Sequence, residues 1–342
     1  MTPRRRWDYH VAMNKTAIII LAWTTCVFII GGCGSNTGWL LTPVSLDERL
    51  TETVIHRDRG WSVSDKVAVV DVSGIIFNER SRGFFGEGEN PVSLFVEKID
   101  KAQADRSVRA LVLRINSPGG GVTASDIMYN RVMQYKSATG NPVIAVLVDV
   151  AASGGYYIAC AADVIVAHRT TITGSIGVIV QTISFAGTMD KIGVTAEAIT
   201  SGKMKDMGSP LKPLDKADAE VLQGIVDDFY GKFVSVVASG RSKLDAAQVR
   251  KLADGRVYTA GDALNSGLVD SLGYMDEALV LARKRSGAER IKVVMYGRPA
   301  GYRANAYSMV PGVGAQFNLV NVNAGALMSL AQPRFMYLWT GR

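Results

Sequence analysis

Histidine and cysteine are the scarce residues of this 342-residue chain, three of each, and their positions exclude several chemistries. His10 falls in the first 33 residues, His56 in a polar stretch and His168 at the end of an apolar run. A Ser–His–Asp triad is therefore hard to build, with His168 its one candidate base. Cys26 and Cys33 share the N-terminal stretch with His10, which leaves Cys160 alone. With no CxxC and no Cys/His cluster, neither a disulfide framework nor a metal site is expected, no cofactor is implied, and Cys160 reads as a small buried residue. A Lys/Arg block interleaved with aromatics is also lacking. The formal charge is +7, but Arg4, Arg5, Arg6 and Lys15 against Asp8 concentrate +3 of it before residue 33. The remainder is spread over solvated faces, so no nucleic-acid partner is expected. At 48% hydrophobic and 20% charged residues the composition is globular, with material for one large domain or two ordinary ones.

What the chain does have begins at its N-terminus. Residues 16–30 (TAIIILAWTTCVFII) form an apolar run after Lys15, closed by Gly31-Gly32-Cys33. Such a run with a basic flank and a small-residue exit is an export signal. It also lies close to the lower limit of about 17 residues for an uncleaved membrane anchor. The sequence Ile30-Gly31-Gly32-Cys33 resembles a bacterial lipobox, which implies lipidation of Cys33. Either outcome tethers the body to a membrane outside the cytoplasm. The expected organisation is a leader over 1–33, a tether over 34–64 with a short helix at 46–53, a main domain over 65–296 and a tail over 297–342. The end of that tail, Phe335-Met336-Tyr337-Leu338-Trp339, is apolar enough to want a partner surface.

From residue 66 the pattern alternates. Residues 66–72 (KVAVVDV), 109–115 (RALVLRI), 142–148 and 164–167 are apolar runs of strand length. Between them Val92, Phe95, Val96 and Ile99 fall at helical spacing, and residues 123–136 and the run after Ser153 also read as helices. Strands buried on both faces and alternating with amphipathic helices predict an α/β fold with largely parallel strands. Further on, a strand is predicted over 194–199, a loop over 200–214 and a long helix over 216–239 capped by Asp215, since Val221, Ile225, Phe229 and Phe233 form one stripe. Helices over 245–252 and 275–285 and a strand over 291–296 complete the pattern.

Two glycine-rich sites stand at strand-to-helix junctions. Asn116-Ser117-Pro118-Gly119-Gly120-Gly121 precedes a helix, so its backbone N–H groups are free to point at a ligand oxygen. Two readings compete: Gly119-x-Gly121-x-x-Ala124 with Asp149 at the end of the next strand matches a dinucleotide fingerprint, and the same loop can be half of an oxyanion hole. The second site is Val148 to Tyr157, where Ser153 sits between two alanines and two glycines. Small residues there mark close packing, or they expose a nucleophile. A serine nucleophile needs a base, and a lysine serves when burial disfavours its ammonium form. Lys203 and Lys205 flank Met204, with Met207 two residues on, in the loop 201–210; a plain exposed loop fits the same residues.

Taken in order, SPGGG at 117–121, ASGGYY at 152–157, TGSIGV at 173–178, KMKDMGSP at 203–210 and GRVYTAGDALNSGLVD at 255–270 resemble the bacterial signal peptide peptidase A (SppA) family over residues 65–290. The resemblance implies a Clp/crotonase-like α/β fold of repeated ββα units with a helical subdomain, and a Ser/Lys protease acting on remnant signal peptides and related hydrophobic peptides. It implies Ser153 as nucleophile, Lys205 as base with Lys203 the alternative, and Gly120 and Gly154 as the oxyanion hole. Ser175 falls where the family has a serine that orients the lysine. A single copy of the domain implies a ring-like homo-oligomer. Two other functions stay open on residues alone: a crotonase-like acyl-CoA enzyme using the same glycine loop, and a catalytically silent membrane scaffold.

Overall fold

Each apolar run divides its side chains between two faces, and that division builds the fold. In the first long strand Ala68, Val70 and Val72 enter one core, and Val67 and Val69 enter the other. The same alternation separates Leu111, Leu113 and Ile115 from Ala110 and Val112, and Ala145 and Leu147 from Ile144 and Val146. A period of two with both faces apolar is the pattern of a sheet covered on both sides. The computed structural model describes residues 49–60, 62–79, 82–83, 86–87, 89–298 and 333–341. The predicted leader, Cys33 and residues 34–48 of the predicted tether lie outside them. No described helix is long and apolar enough to cross a membrane.

In chain order the elements are β1 (Thr51–Arg57), β2 (Lys66–Ser73), β3 (Arg82–Gly83), β4 (Gly86–Glu87), α1 (Pro91–Ala104), β5 (Val108–Ser117), β6 (Gly119–Gly121), α2 (Val122–Thr139), β7 (Val143–Ala152), α3 (Gly154–Ala159), β8 (Val164–Ala167), β9 (Ile172–Gly174), β10 (Ile179–Gln181), α4 (Ala186–Lys191), α5 (Lys216–Gly240), α6 (Ala246–Leu252), β11 (Val257–Thr259), α7 (Ala260–Asn265), β12 (Ser271–Leu272), α8 (Met275–Ser286), β13 (Lys292–Gly297) and β14 (Arg334–Leu338). The main sheet has the order β1-β13-β2-β5-β7-β8-β12, with β9 on β7 and β11 on β9. Its pairings from β13 to β12 are parallel, as is β7 with β9; β1–β13 and β11–β9 are antiparallel. Residues of α1, α2, α3 and α5 fill one core and α8 covers the other face. This is the mixed α/β arrangement with a mostly parallel sheet that the sequence predicts.

Local chemistry fixes the helix starts. The Asn90 side chain accepts from the Val92 and Ser93 amides at 3.0 and 3.1 Å ahead of Pro91, and Asp215 accepts from the Asp218 amide at 2.8 Å. Arg241, at the end of α5, forks onto Asp270 at 2.9 and 2.6 Å. Asp270 also accepts from the Ile165 amide at 2.8 Å, which ties the last motif to the sheet.

Four expectations change. Residues 51–57 form the edge strand β1 on β13, so the sheet extends into the stretch assigned to a tether, and no helix runs through Thr51–Thr53. Residues 194–199 form no strand; Val194 and Ile199 are exposed and pair with no described strand. The glycine run 119–121 is a strand, β6, and residues 334–338 of the tail are a strand as well, β14, in a second antiparallel sheet of order β10-β14-β6.

Candidate active site

Strand β7 ends at Ala152 and α3 begins at Gly154, so the chain must turn within one residue. That residue is Ser153, with φ 52° and ψ −115°. Among the described residues, Ser153 and Ser175 are the only non-glycine residues at positive φ. A side chain held there costs of order 1–3 kcal/mol and persists only where neighbours fix it. They do: the Ser153 amide donates to the Gly174 carbonyl at 2.7 Å, and its own carbonyl accepts from Tyr157 at 2.8 Å. Ser175 is the next residue after Gly174, so the two strained serines share one backbone junction. The Ser175 amide donates to the Arg256 carbonyl at 2.8 Å, and β11 pairs with β9 through Val257 and Gly174. The motif at 255–270 thus braces the motif at 173–178, which braces Ser153.

The SPGGG segment closes over the same point. A Cβ on Gly155 would lie 2.7 Å from the Ser117 carbonyl oxygen, and one on Gly154 would lie 2.3 Å from Ser125 Oγ and 3.2 Å from the Gly120 nitrogen. Only glycine lets the α3 N-terminus and β6 approach so closely. The approach puts the Gly154 and Gly120 backbones in close contact. Gly119 and Gly121 are engaged on their other edge: the Ile76 amide donates to the Gly119 carbonyl at 2.9 Å, and the Gly121 amide to the Ile76 carbonyl at 2.8 Å. Paired on both edges, this run is not the open phosphate-binding turn of a dinucleotide site. Asp149, the ribose-binding acid of that reading, accepts from Asn116 Nδ2 at 2.9 Å.

The structure brings Ser153, Gly154, Gly120 and Ser175 together, and it does not bring Lys205 to them within one chain. Lys205 is exposed, and its side chain makes no hydrogen bond or ion pair with a described residue; Lys203 is exposed too. The loop that carries them is nevertheless anchored. Lys212 Nζ lies 3.0 Å from Asp206, 2.9 Å from the buried Asp218 and 3.7 Å from Asp215. Hydrogen bonds to Asp218 and Asp206 hold the Lys212 ammonium well above the usual lysine range. This anchor was missed in the sequence because an Asp206/Lys212 pair looks like any solvated turn. His168 packs against Tyr274 with ring centroids 5.0 Å apart, and burial lowers its pKa. Cys160 is buried, and burial pushes its thiol up to about 12.

A serine on a strained strand-to-helix elbow, with the Gly154 and Gly120 backbones close by, is an arrangement suited to acyl transfer. Comparison with known proteins makes the class specific. The profile of peptidase family S49 matches residues 135–289. A protein of Enterococcus faecium named for signal peptide peptidase SppA is 36% identical over 231 residues, covering 68% of this chain and 67% of its own. A Synechocystis protein named for a protease is 36% identical over 232 residues, covering 68% and 78%. Protease 4 of Haemophilus influenzae is 37% identical over 237 residues, and the alignment covers 69% of this chain but 37% of that longer protein. Among solved structures, a membrane-bound stomatin-specific protease aligns over 65% of this chain and 86% of its own, at 18% identity and a TM-score of 0.42. The chain belongs to the SppA family, peptidase family S49, and is a serine-type peptidase.

Proposed function

We propose that the protein is a membrane-tethered endopeptidase that hydrolyses remnant signal peptides and related hydrophobic peptides through a Ser153/Lys205 dyad. The observation that carries the reading is the backbone of Ser153, strained to positive φ and set beside the Gly154 and Gly120 amides. In this mechanism an uncharged Lys205 amine takes the Ser153 proton as Oγ attacks the peptide carbonyl. Gly120 and Gly154 donate to the oxyanion, the amine leaves, and water hydrolyses the acyl-enzyme. Ser175, one residue beyond the hydrogen-bond partner of Ser153, orients Lys205. Because Lys205 is exposed and unengaged in its own chain, it reaches Ser153 of a neighbouring copy in a ring-like homo-oligomer. The N-terminal leader, as a retained anchor or through lipidated Cys33, holds that ring at the extracytoplasmic face of a bacterial envelope, close to its substrates.

Peptide cleavage by three preparations tests this. Ser153→Ala and Lys205→Ala are each expected to lose hydrolysis of a hydrophobic reporter peptide while assembling as the wild type does. Mixed and reassembled together they recover about a quarter of the wild-type rate, since random mixing joins intact halves at that fraction of interfaces. Wild-type rates in either single variant would refute the dyad, and no recovery on mixing would refute its assembly between copies. A serine-reactive acylating probe that labels Ser153 in the wild type but not in Lys205→Ala separates an active dyad from a silent scaffold.

A further inference from the structure

The loop proposed to carry the base is tied to the body of the protein by one side chain. Around Lys205 the backbone makes tight turns: its amide donates to the Gly202 carbonyl at 3.0 Å, and the Ser209 amide donates to the Asp206 carbonyl at 3.0 Å. The Pro210 carbonyl then accepts from the Phe185 amide at 2.7 Å, and the chain runs through Lys212 to Asp215, the cap of α5. Turns of this kind fix local shape and leave the direction of a loop to longer-range contacts. Lys212 supplies them. Its carbonyl accepts from Ser184 Oγ at 2.8 Å. Its Nζ reaches back six residues to Asp206 at 3.0 Å and forward to Asp218 at 2.9 Å.

The two carboxylates differ in surroundings. Asp206 is partly exposed and adjoins Lys205, whereas the Asp218 side chain is 1% exposed in the first turn of the 25-residue α5. The free amides of a helix start favour a negative charge there, and among the described residues Lys212 is the one cation paired with Asp218. A second lysine of the same segment shows the contrast: Lys216 lies 3.9 Å from Glu220, with both side chains mostly in solvent. Taking a carboxylate out of water is costly, so a pair built on a buried one adds little stability over apolar packing. What it supplies here is register. It joins the start of a helix whose Phe233, Val234 and Val237 lie in the core to the residue next to the base.

We propose that Lys212 is a positioning residue for the general base: its ammonium clamps Asp206 to Asp218 and so sets where Lys205 stands when it meets Ser153. The inference rests on Lys205 being the base, as proposed above. Lys212 acts through that lysine and not on the peptide. A misplacement of about 1 Å in a reacting group costs about 10²-fold in rate, so a loop released at Asp206 slows proton transfer without weakening substrate binding.

Reporter-peptide kinetics on assembled full-chain variants test this, together with the rate at which the serine-reactive acylating probe labels Ser153. Lys212→Ala is expected to lower kcat about 10–100-fold while KM stays within about twofold. Asp206→Asn releases the loop but keeps the buried Asp218 pair, so it should show a similar loss with a melting temperature within about 2 °C of the wild type. Lys212→Arg, whose guanidinium can bridge both carboxylates, should return kcat to within about threefold of the wild type. A double-mutant cycle separates positioning from a merely structural role. In the Lys205→Ala background, adding Lys212→Ala should leave the slow residual probe labelling unchanged within about threefold, because the base it positions is gone. A further fall of about tenfold there, or a wild-type kcat in Lys212→Ala or Asp206→Asn, would overturn this inference and leave the Ser153/Lys205 dyad standing. Wild-type labelling in Lys205→Ala alone would remove the base itself, and both readings fall.

Discussion

Replacing Gly154 by alanine puts a methyl group where the structure has no room for one. The new Cβ would lie 2.3 Å from Ser125 Oγ and 3.2 Å from both the Gly119 Cα and the Gly120 nitrogen. The Ser125 hydroxyl is held by its bond to the Gly121 carbonyl at 3.0 Å, so swinging it aside breaks a hydrogen bond at the start of α2. Overpacking of this kind costs about 1–3 kcal/mol in stability. The larger effect falls on rate. The methyl pushes apart β6 and the α3 N-terminus, and losing one aligned oxyanion donor costs about 10²–10³ in kcat, or about 2.7–4 kcal/mol. Steady-state hydrolysis of a hydrophobic reporter by Gly154→Ala, with thermal unfolding measured in parallel, reads both. Adding Ser125→Ala removes the nearest clashing atom and is expected to return most of the stability. It does not return the rate, because the contact with the Gly120 nitrogen remains. A single variant that turns over within about threefold of the wild type would refute the assignment of these amides.

Ser153→Gly is expected to abolish hydrolysis and yet raise the melting temperature by about 2–4 °C, since glycine removes roughly 1 kcal/mol of net strain at φ 52°; an unchanged or lower melting temperature would argue that the elbow is unstrained. Ser175→Gly relieves φ 49° in the same way while removing the hydroxyl proposed to orient Lys205, so stability rises as acylation by a serine-reactive probe slows. Asp270→Asn leaves Arg241 buried without its carboxylate and is expected to cost about 3–5 kcal/mol at neutral pH, read by denaturant unfolding. Burial raises the Asp270 pKa, but the bonds from Arg241 and the Ile165 amide outweigh it and the net shift is downward. Its contribution is therefore complete above the unfolded-state value of about 3.9 and is lost as pH falls through the lower folded value, so the gap between wild type and variant should narrow below about pH 4.

How much of this was legible in the sequence depends on where each residue finds its partner. The central strands announce themselves because Val, Ile and Leu run continuously through β2, β5 and β7, and only a sheet covered on both faces uses such runs. Ser153 was legible through its neighbours, two alanines and two glycines, and at the glycines a Cβ would meet atoms of β5, β6 and α2. The edge strand β1 was not: its TETVIHR pattern is mostly exposed, and nothing local distinguishes a polar strand paired on one side from a polar tether. Residues 194–199 mislead in the opposite direction, with a strand-like pattern whose Val194 and Ile199 stay exposed and unpaired. For β14 the apolar run asks for a partner surface, but nothing in the sequence says which one. Its partner β6 is three glycines, which have no side chains to carry a period, and the register is set by backbone atoms more than two hundred residues away in sequence.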